Sequence, residues 1–274
     1  MERIILIETS TALCSTALAE NGVITAYRES SAPKAHASLT AVFIQEMLQE
    51  RGLTIADCDA VCVSKGPGSY TGLRVGVSTA KGLCFGSGKP LLAVGTLDTL
   101  VAQAQMAGHD GGNVIPSEVH TVIPSEVEGS PYRYIIPMID ARRMEVYAAV
   151  FTSVIPSDPC NVIPSDPCNV IPSEVEESPS YTQITETAPA IIDETSFAEY
   201  LEQGPCLFIG DGAGKCAEVI KHPNAHFCQC HPNAAAMLQP ALEAFRKGDF
   251  EDVAYFEPFY LKEFVATVSK KKLF

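Results

Sequence analysis

The 274-residue chain has no tryptophan, only 6 histidines, and 19 lysines and arginines against 33 aspartates and glutamates. A formal charge of −14 excludes a broad basic face. Nucleic-acid binding by this chain alone would need such a face to neutralise phosphates. If the protein works on nucleic acid, a more basic partner must hold it. Long apolar runs are also missing: no segment approaches the ~20 residues of a membrane span. The opening MERIILIETS lacks a signal-peptide plan, because its short apolar run at 4–7 is followed at once by Glu8. A cytoplasmic location without membrane association is the expectation. The phosphate-loop pattern G-x-x-x-x-G-K-[ST] is absent as well. Gly66, Gly68 and Gly72 follow G-x-G-x-x-x-G rather than the dinucleotide spacing G-x-G-x-x-G. Cysteine is not scarce, with 10 residues, but Cys14, Cys58, Cys62 and Cys84 lie inside apolar segments rather than in a spaced framework. They read as reduced core residues.

What is present is an alternation of strands and helices. A β-branched run at 3–7 predicts a buried strand, followed by strands at 14–19 and 23–28 around the hairpin signal Asn21-Gly22. A helix is predicted over 35–50, ended by Gly52, then a strand at 60–64, a glycine loop and a second helix. A strand at 91–94 and a helix at 96–106 close this half. The plan then restarts: "ILIETSTALCSTALA" and "IIPMIDARRMEVYAAVF" both read as strand, acidic residue, polar turn, strand, the latter with strands at 135–139 and 146–151. Two lobes follow, 1–107 and 108–274. Near-exact repeats of VIPSEV and VIPSDPCN, rich in proline, serine and glutamate, interrupt the second lobe at about 113–131 and 153–180. They cannot close a core and read as inserted surface loops.

The loop "SKGPGSYTGLRVGVSTAKGL" offers amides at a helix start, where an anion can bind, with Ser69 or Thr71 as cap. A tight strand-to-helix turn is the plainer reading. In the helix behind it, Gly72, Gly76 and Ala80 recur every four residues and line one face. Glycine costs a helix ~1 kcal/mol relative to alanine, so two on one stripe call for a compensating close contact. In the first helix, Leu39, Phe43, Ile44, Met47 and Leu48 cover about 180° of the wheel, wider than an ordinary ~100° stripe. That helix is either buried on two sides or doubly packed within its own lobe.

These residues carry a family resemblance. The loop segment, the opening "ILIETSTALCSTALA", "IIPMIDARRMEVYAAVF" and the closing "YFEPFYLKEF" resemble the TsaB (YeaZ) family. Members of that family are non-catalytic homologues of TsaD in tRNA threonylcarbamoyladenosine biosynthesis. The resemblance implies an α/β fold of the actin, Hsp70 and sugar-kinase (ASKHA) type, two lobes each with a mixed sheet flanked by helices. It implies a required subunit without independent enzyme activity, paired with a TsaD-like catalytic subunit and assisted by a TsaE-like ATPase. Transfer of threonylcarbamoyl to the adenosine next to the anticodon would occur on the TsaD-like chain, and tRNA would be met only through the complex. A homodimer of the free chain stays open. The contact is expected on the two helices of the first lobe, through Leu39, Phe43, Met47, Gly72, Gly76 and Ala80. No cofactor and no catalytic residue are expected. TsaD-like chains carry H-x-x-x-H after the next strand, a spacing that places two imidazoles on one helix face. This chain has Thr96 and Leu100 there, in "LLAVGTLDTL", so no metal site is expected.

Three weaker signals compete. His226, Cys228 and Cys230 would share a strand face as zinc ligands, yet C-x-C followed by histidine is not a structural-zinc spacing, and an edge strand with core cysteines is the plainer reading. "FIGDGAGKC" enters a helix through glycines and reads as a tight turn, with weak ATP binding or none expected. An actin-like sugar kinase would need a general base, for which Asp140 and Asp211 are the candidates, and a metalloprotease would need a metal set.

Overall fold

The structure, a computed structural model, describes residues 2–107, 132–154 and 180–261. Two mixed sheets with the same internal order organise the chain. In the first, β1 (Arg3–Glu8), β2 (Cys14–Glu20), β3 (Val23–Ser30), β4 (Ala60–Gly66) and β5 (Leu91–Gly95) lie in the order β3-β2-β1-β4-β5. β1 runs antiparallel to β2 and parallel to β4. The Asn21-Gly22 turn takes positive φ at both residues, 51° and 80°, the requirement of a two-residue hairpin matched to strand twist.

The second sheet repeats that order with β6 (Tyr134–Asp140), β7 (Glu145–Ala148), β10 (Ala188–Ile191), β11 (Cys206–Gly210) and β12 (Ala225–Gln229), arranged β10-β7-β6-β11-β12. The single return strand expected at 146–151 is two strands. β7 pairs with the end of β6, while β8 (Phe151–Val154) pairs with its start and then with β9 (Ser180–Gln183). The expected insert at 113–131 lies outside the described residues. Of the insert expected at 153–180, only the ends are described, and there Val154 pairs with Ser180. A topology present twice, each time with helices against the sheet, is the α/β plan of actin-like folds.

Each sheet is covered on both faces. Alternate residues of β1 point to opposite sides, as strand geometry requires. Ile5 and Ile7 join α1 (Ala35–Glu50) and α2 (Tyr70–Ser87) through Ile44, Met47, Val77 and Ala80. Ile4 and Leu6 face Met237, Leu238 and Leu242 around α6 (Leu238–Lys247). α3 (Thr96–Ala107) contacts β4 and β5 of the first sheet and β6 and β11 of the second. The other face of the second sheet buries Phe208, Ile136 and Met138 against α4 (Ala198–Leu201) and α5 (Ala213–Ala217). Residues 251–261 return to the first sheet: the Glu251 amide donates to the Leu91 carbonyl at 2.8 Å, and Lys81 Nζ donates to the carbonyls of Ala254 and Phe256. Among the described residues, no helix is long and apolar enough to cross a membrane.

Candidate functional site: the α1/α2 face

The glycine loop is spent on the chain's own backbone. β4 ends at Gly66, whose φ of 103° only glycine adopts without strain, and the next peptide bond to Pro67 is cis. The Ser69 amide then donates to the Ser10 carbonyl at 2.6 Å, and Ser69 Oγ caps α2 by accepting from the Gly72 amide. Two of the amides a phosphate would use are thus committed to internal acceptors. The loop is a strand-to-helix turn laid over the β1–β2 connection.

The glycine stripe is explained by the same contact. A Cβ on Gly72 would sit 2.1 Å from the Thr9 carbonyl oxygen, and one on Gly76 would sit 2.2 Å from Thr9 Oγ1. Thr9 Oγ1 also donates to the Gly72 carbonyl at 2.9 Å. The backbone whose close approach the stripe implies is therefore present, and it belongs to this chain. Ala80 is fully buried among Ile5, Ile7 and Cys84. Met47 is 1% exposed in that cluster, whereas Leu39 and Phe43 are half-buried. Of the six expected contact residues, Met47, Gly72, Gly76 and Ala80 thus face inward, and Leu39 and Phe43 reach the surface.

The outer face of the pair consists of other residues. Ala37, Tyr70, Thr71, Arg74, Val75, Ser78 and Thr79 line a groove of about 460 Å³ between α1 and α2. Beyond it, Val42 is 41% exposed and Phe85, near the end of α2, is 86% exposed. Arg74 lies over the Tyr70 ring, and the Tyr70 ring meets that of Tyr260 at 5.0 Å, joining the groove to the returning segment 251–261. α2 and its flanks carry Lys65, Arg74, Lys81 and Lys89 and, from residue 60 to 97, no acidic residue. In a chain of charge −14 no other stretch of sequence runs as long without an acid. Ala37, Arg74 and Ser78 carry no hydrophobic signal in the sequence because they are small or polar; for those on α2, the absence of acid from 60 to 97 was the available sign.

The positions that carry H-x-x-x-H in TsaD-like chains do not fit a metal here. Thr96 and Leu100 are both fully buried; Thr96 Oγ1 pairs with Ser64 Oγ at 3.1 Å, and Leu100 packs under the second sheet. Among the described residues, no group of three or more His, Cys, Asp or Glu side chains is arranged to hold a metal ion. His226 instead packs against the Tyr132 ring; Cys228, on β12, and Cys230, one residue past its end, are core residues, and β12 is an edge strand among the described residues.

The kinase candidates Asp140 and Asp211 lie beside each other but are engaged internally. Asp211 Oδ1 accepts the Asp140 amide at 2.8 Å. Lys215 Nζ reaches Asp140 Oδ1 and the carbonyls of Arg143 and Glu145, closing the β6–β7 turn from within. Gln229 fastens the glycine turn before α5 by accepting from the Gly214 amide and donating to the Asp211 carbonyl. Burial pushes the Asp211 carboxyl above its ordinary range. At the end of β1, Glu8 is wholly buried and burial pushes its carboxyl up; Oε1 accepts from the Ser10 amide, while Oε2 has no protein partner.

Comparison with known proteins gives the family. A family model described as TsaD, tRNA N6-adenosine threonylcarbamoyltransferase, matches residues 28–269. The tRNA threonylcarbamoyladenosine biosynthesis protein TsaB of Escherichia coli K12 is 36% identical over 102 residues, 37% of this chain and 44% of that protein. The TsaB protein of Haemophilus influenzae is 38% identical over 112 residues, 41% of this chain and 47% of its own length. The chain thus spans less than half the length of these curated relatives. Among solved structures, YeaZ from Pseudomonas aeruginosa superposes with a TM-score of 0.69 at 21% identity, covering 95% of this chain and all of the other, a likeness of fold.

Proposed function

The chain belongs to the TsaD tRNA N6-adenosine threonylcarbamoyltransferase family, and from that premise we propose that it acts as a non-catalytic, TsaB-like partner of a separate TsaD-like enzyme. The complex would transfer threonylcarbamoyl to tRNA adenosine in the cytoplasm, with a TsaE-like ATPase assisting and tRNA held by the assembly. The observation that carries this reading is a pair of facts about one fold. The positions that would hold chemistry are filled by the chain's own groups: Thr96 and Leu100 in place of two histidines, and Lys215 in the second turn. The α1/α2 face, by contrast, presents an open groove without acids.

Docking would use the outer seam of α1 and α2, with Leu39 and Phe43 at its edge. Met47, Gly72, Gly76 and Ala80 would act from beneath by setting the helices close to β1. The division into lobes 1–107 and 108–274 is part of the proposal. Ser78 is exposed in the middle of the groove, so Ser78→Glu adds charge without touching the core. Interface centres typically lose ~2 kcal/mol or more when disrupted. Sedimentation of the chain with a TsaD-like subunit is expected to show at least ~30-fold weaker pairing for Ser78→Glu and unchanged pairing for the distant Glu218→Lys. Equal pairing of both variants with the parent would rule out this surface.

A further inference from the structure

β12 and the residue after it carry two thiols that the proposed function does not use. Cys228 and Cys230 are two residues apart in extended chain, so their side chains leave the same face. Cys228 lies opposite Ile209 in the β11–β12 ladder, and the Cys230 amide continues that ladder to the Gly210 carbonyl at 3.4 Å. Both thiols are free, both pack into the cluster beneath α3, and they lie near enough to shift each other's ionisation.

The other described thiols stand in different surroundings. Cys14 pairs with Thr40 Oγ1, while Cys58, Cys84 and Cys206 donate to backbone carbonyls. Burial pushes the Cys58, Cys84 and Cys216 thiols up to about 11 and that of Cys206 to about 12. Cys228 is held below the ordinary thiol value by the Cys230 thiol beside it, and Cys230 is raised by the same pairing. Of the two, Cys228 therefore ionises the more readily, the division of roles that thiol oxidation uses.

We propose that Cys228 and Cys230 form a reversible dithiol–disulfide site oxidised by small peroxides. One sulfur attacks the peroxide O–O bond, becomes a sulfenic acid and releases water. The second thiol displaces that hydroxyl as another water and forms the S–S bond, so two thiols and one hydrogen peroxide give one disulfide and two waters. Two strand residues span about 6.6 Å between Cα atoms, near the upper end of the range a disulfide bridges, and their parallel Cβ atoms stand wider than the ~3.5–4.5 Å of a relaxed bridge, so closure bends the chain at Gln229. Such a bridge belongs to the readily reduced kind. The site lies where the sheets are tied together: just past it, the His231 carbonyl accepts from Gln103 of α3 and the Ala234 amide donates to Ser15 of β2.

The test uses the full chain with Cys160→Ser and Cys168→Ser, which removes the two cysteines outside the described residues. After brief exposure to a small excess of hydrogen peroxide, free thiols are alkylated under denaturing conditions and the peptides mapped by mass. The expected result is a 228–230 peptide lighter by two hydrogens, unalkylated, and returned to two alkylated cysteines by dithiothreitol. With Cys230→Ala added, Cys228 should stop at a sulfenic acid captured by dimedone. Two alkylated cysteines at 228 and 230 after that exposure would overturn the proposal. So would a sulfinic acid at either position, or a bridge to any other cysteine.

Discussion

Changing Gly72 to alanine and Gly82 to alanine is the same chemical change on one helix, and the packing of α2 gives the two opposite signs. Glycine-to-alanine in a helix gains ~1 kcal/mol from backbone entropy and propensity. At Gly82 nothing lies within 4 Å of the added methyl, so that gain stands alone. At Gly72 the methyl would meet the Thr9 carbonyl oxygen at 2.1 Å, far inside the 3.0 Å that real Cβ atoms keep, and the obstacle is backbone. Thr9 is itself fully buried and bonded to the Gly72 carbonyl, so relief requires moving the end of β1 away from α2. Overpacking of this kind costs ~1–3 kcal/mol, and its upper end less the propensity gain leaves Gly72→Ala about 2 kcal/mol less stable. Urea midpoints and thermal scans measure both. At ~2–4 °C per kcal/mol for a chain of this size, Tm falls by about 4–8 °C for Gly72→Ala and rises by about 2–4 °C for Gly82→Ala. A Gly72→Ala protein as stable as the parent would refute the claim that the glycine stripe is occupied from within.

Glu8 and the returning segment supply two further predictions. Burial raises the Glu8 pKa above the ordinary 4.5, so the folded state keeps a proton that the unfolded chain gives up. The stability linked to Glu8 is full below pH 4.5 and is lost as pH rises toward the raised value. Glu8→Gln should therefore gain on the parent by up to ~1.4 kcal/mol per pH unit above 4.5; a stability difference independent of pH would contradict this. Lys81→Met keeps the apolar stem but removes the donors that hold the Ala254 and Phe256 carbonyls. Limited proteolysis should cut within 251–261 several-fold faster in that variant, and an unchanged rate would show that Phe259 and Tyr260 hold the segment without it.

Local chemistry made much of this fold legible. The β-branched run of β1, the Asn-Gly turn and the Ser-capped helix behind a glycine loop each state their structure within a few residues. The helix over 35–50 matches α1 because both its amphipathic stripe and its stop signal are local. Long-range pairing was not legible. The glycine stripe announced that a backbone lies against α2, but not that it is Thr9, 63 residues away. The same blindness put Met47 among the contact residues, since a wide apolar arc does not say which part faces the sheet. β7 and β8 read as one strand because the change of partner along β6, from Phe151 at its start to Val146 at its end, is a matter of register rather than composition. The outer groove residues Ala37, Arg74 and Ser78 are small or polar, and only the helix pair as folded brings them together.

The central claim is that this chain enables the chemistry of another subunit without performing it. The most direct measurement is tRNA threonylcarbamoylation reconstituted with an adenylate-forming enzyme, a TsaD-like subunit, a TsaE-like ATPase and tRNA, with this chain added or withheld. The account predicts modification only when both this chain and the TsaD-like subunit are present, and its loss with Ser78→Glu. Modification by this chain without the TsaD-like subunit, or full modification when this chain is withheld, would contradict it.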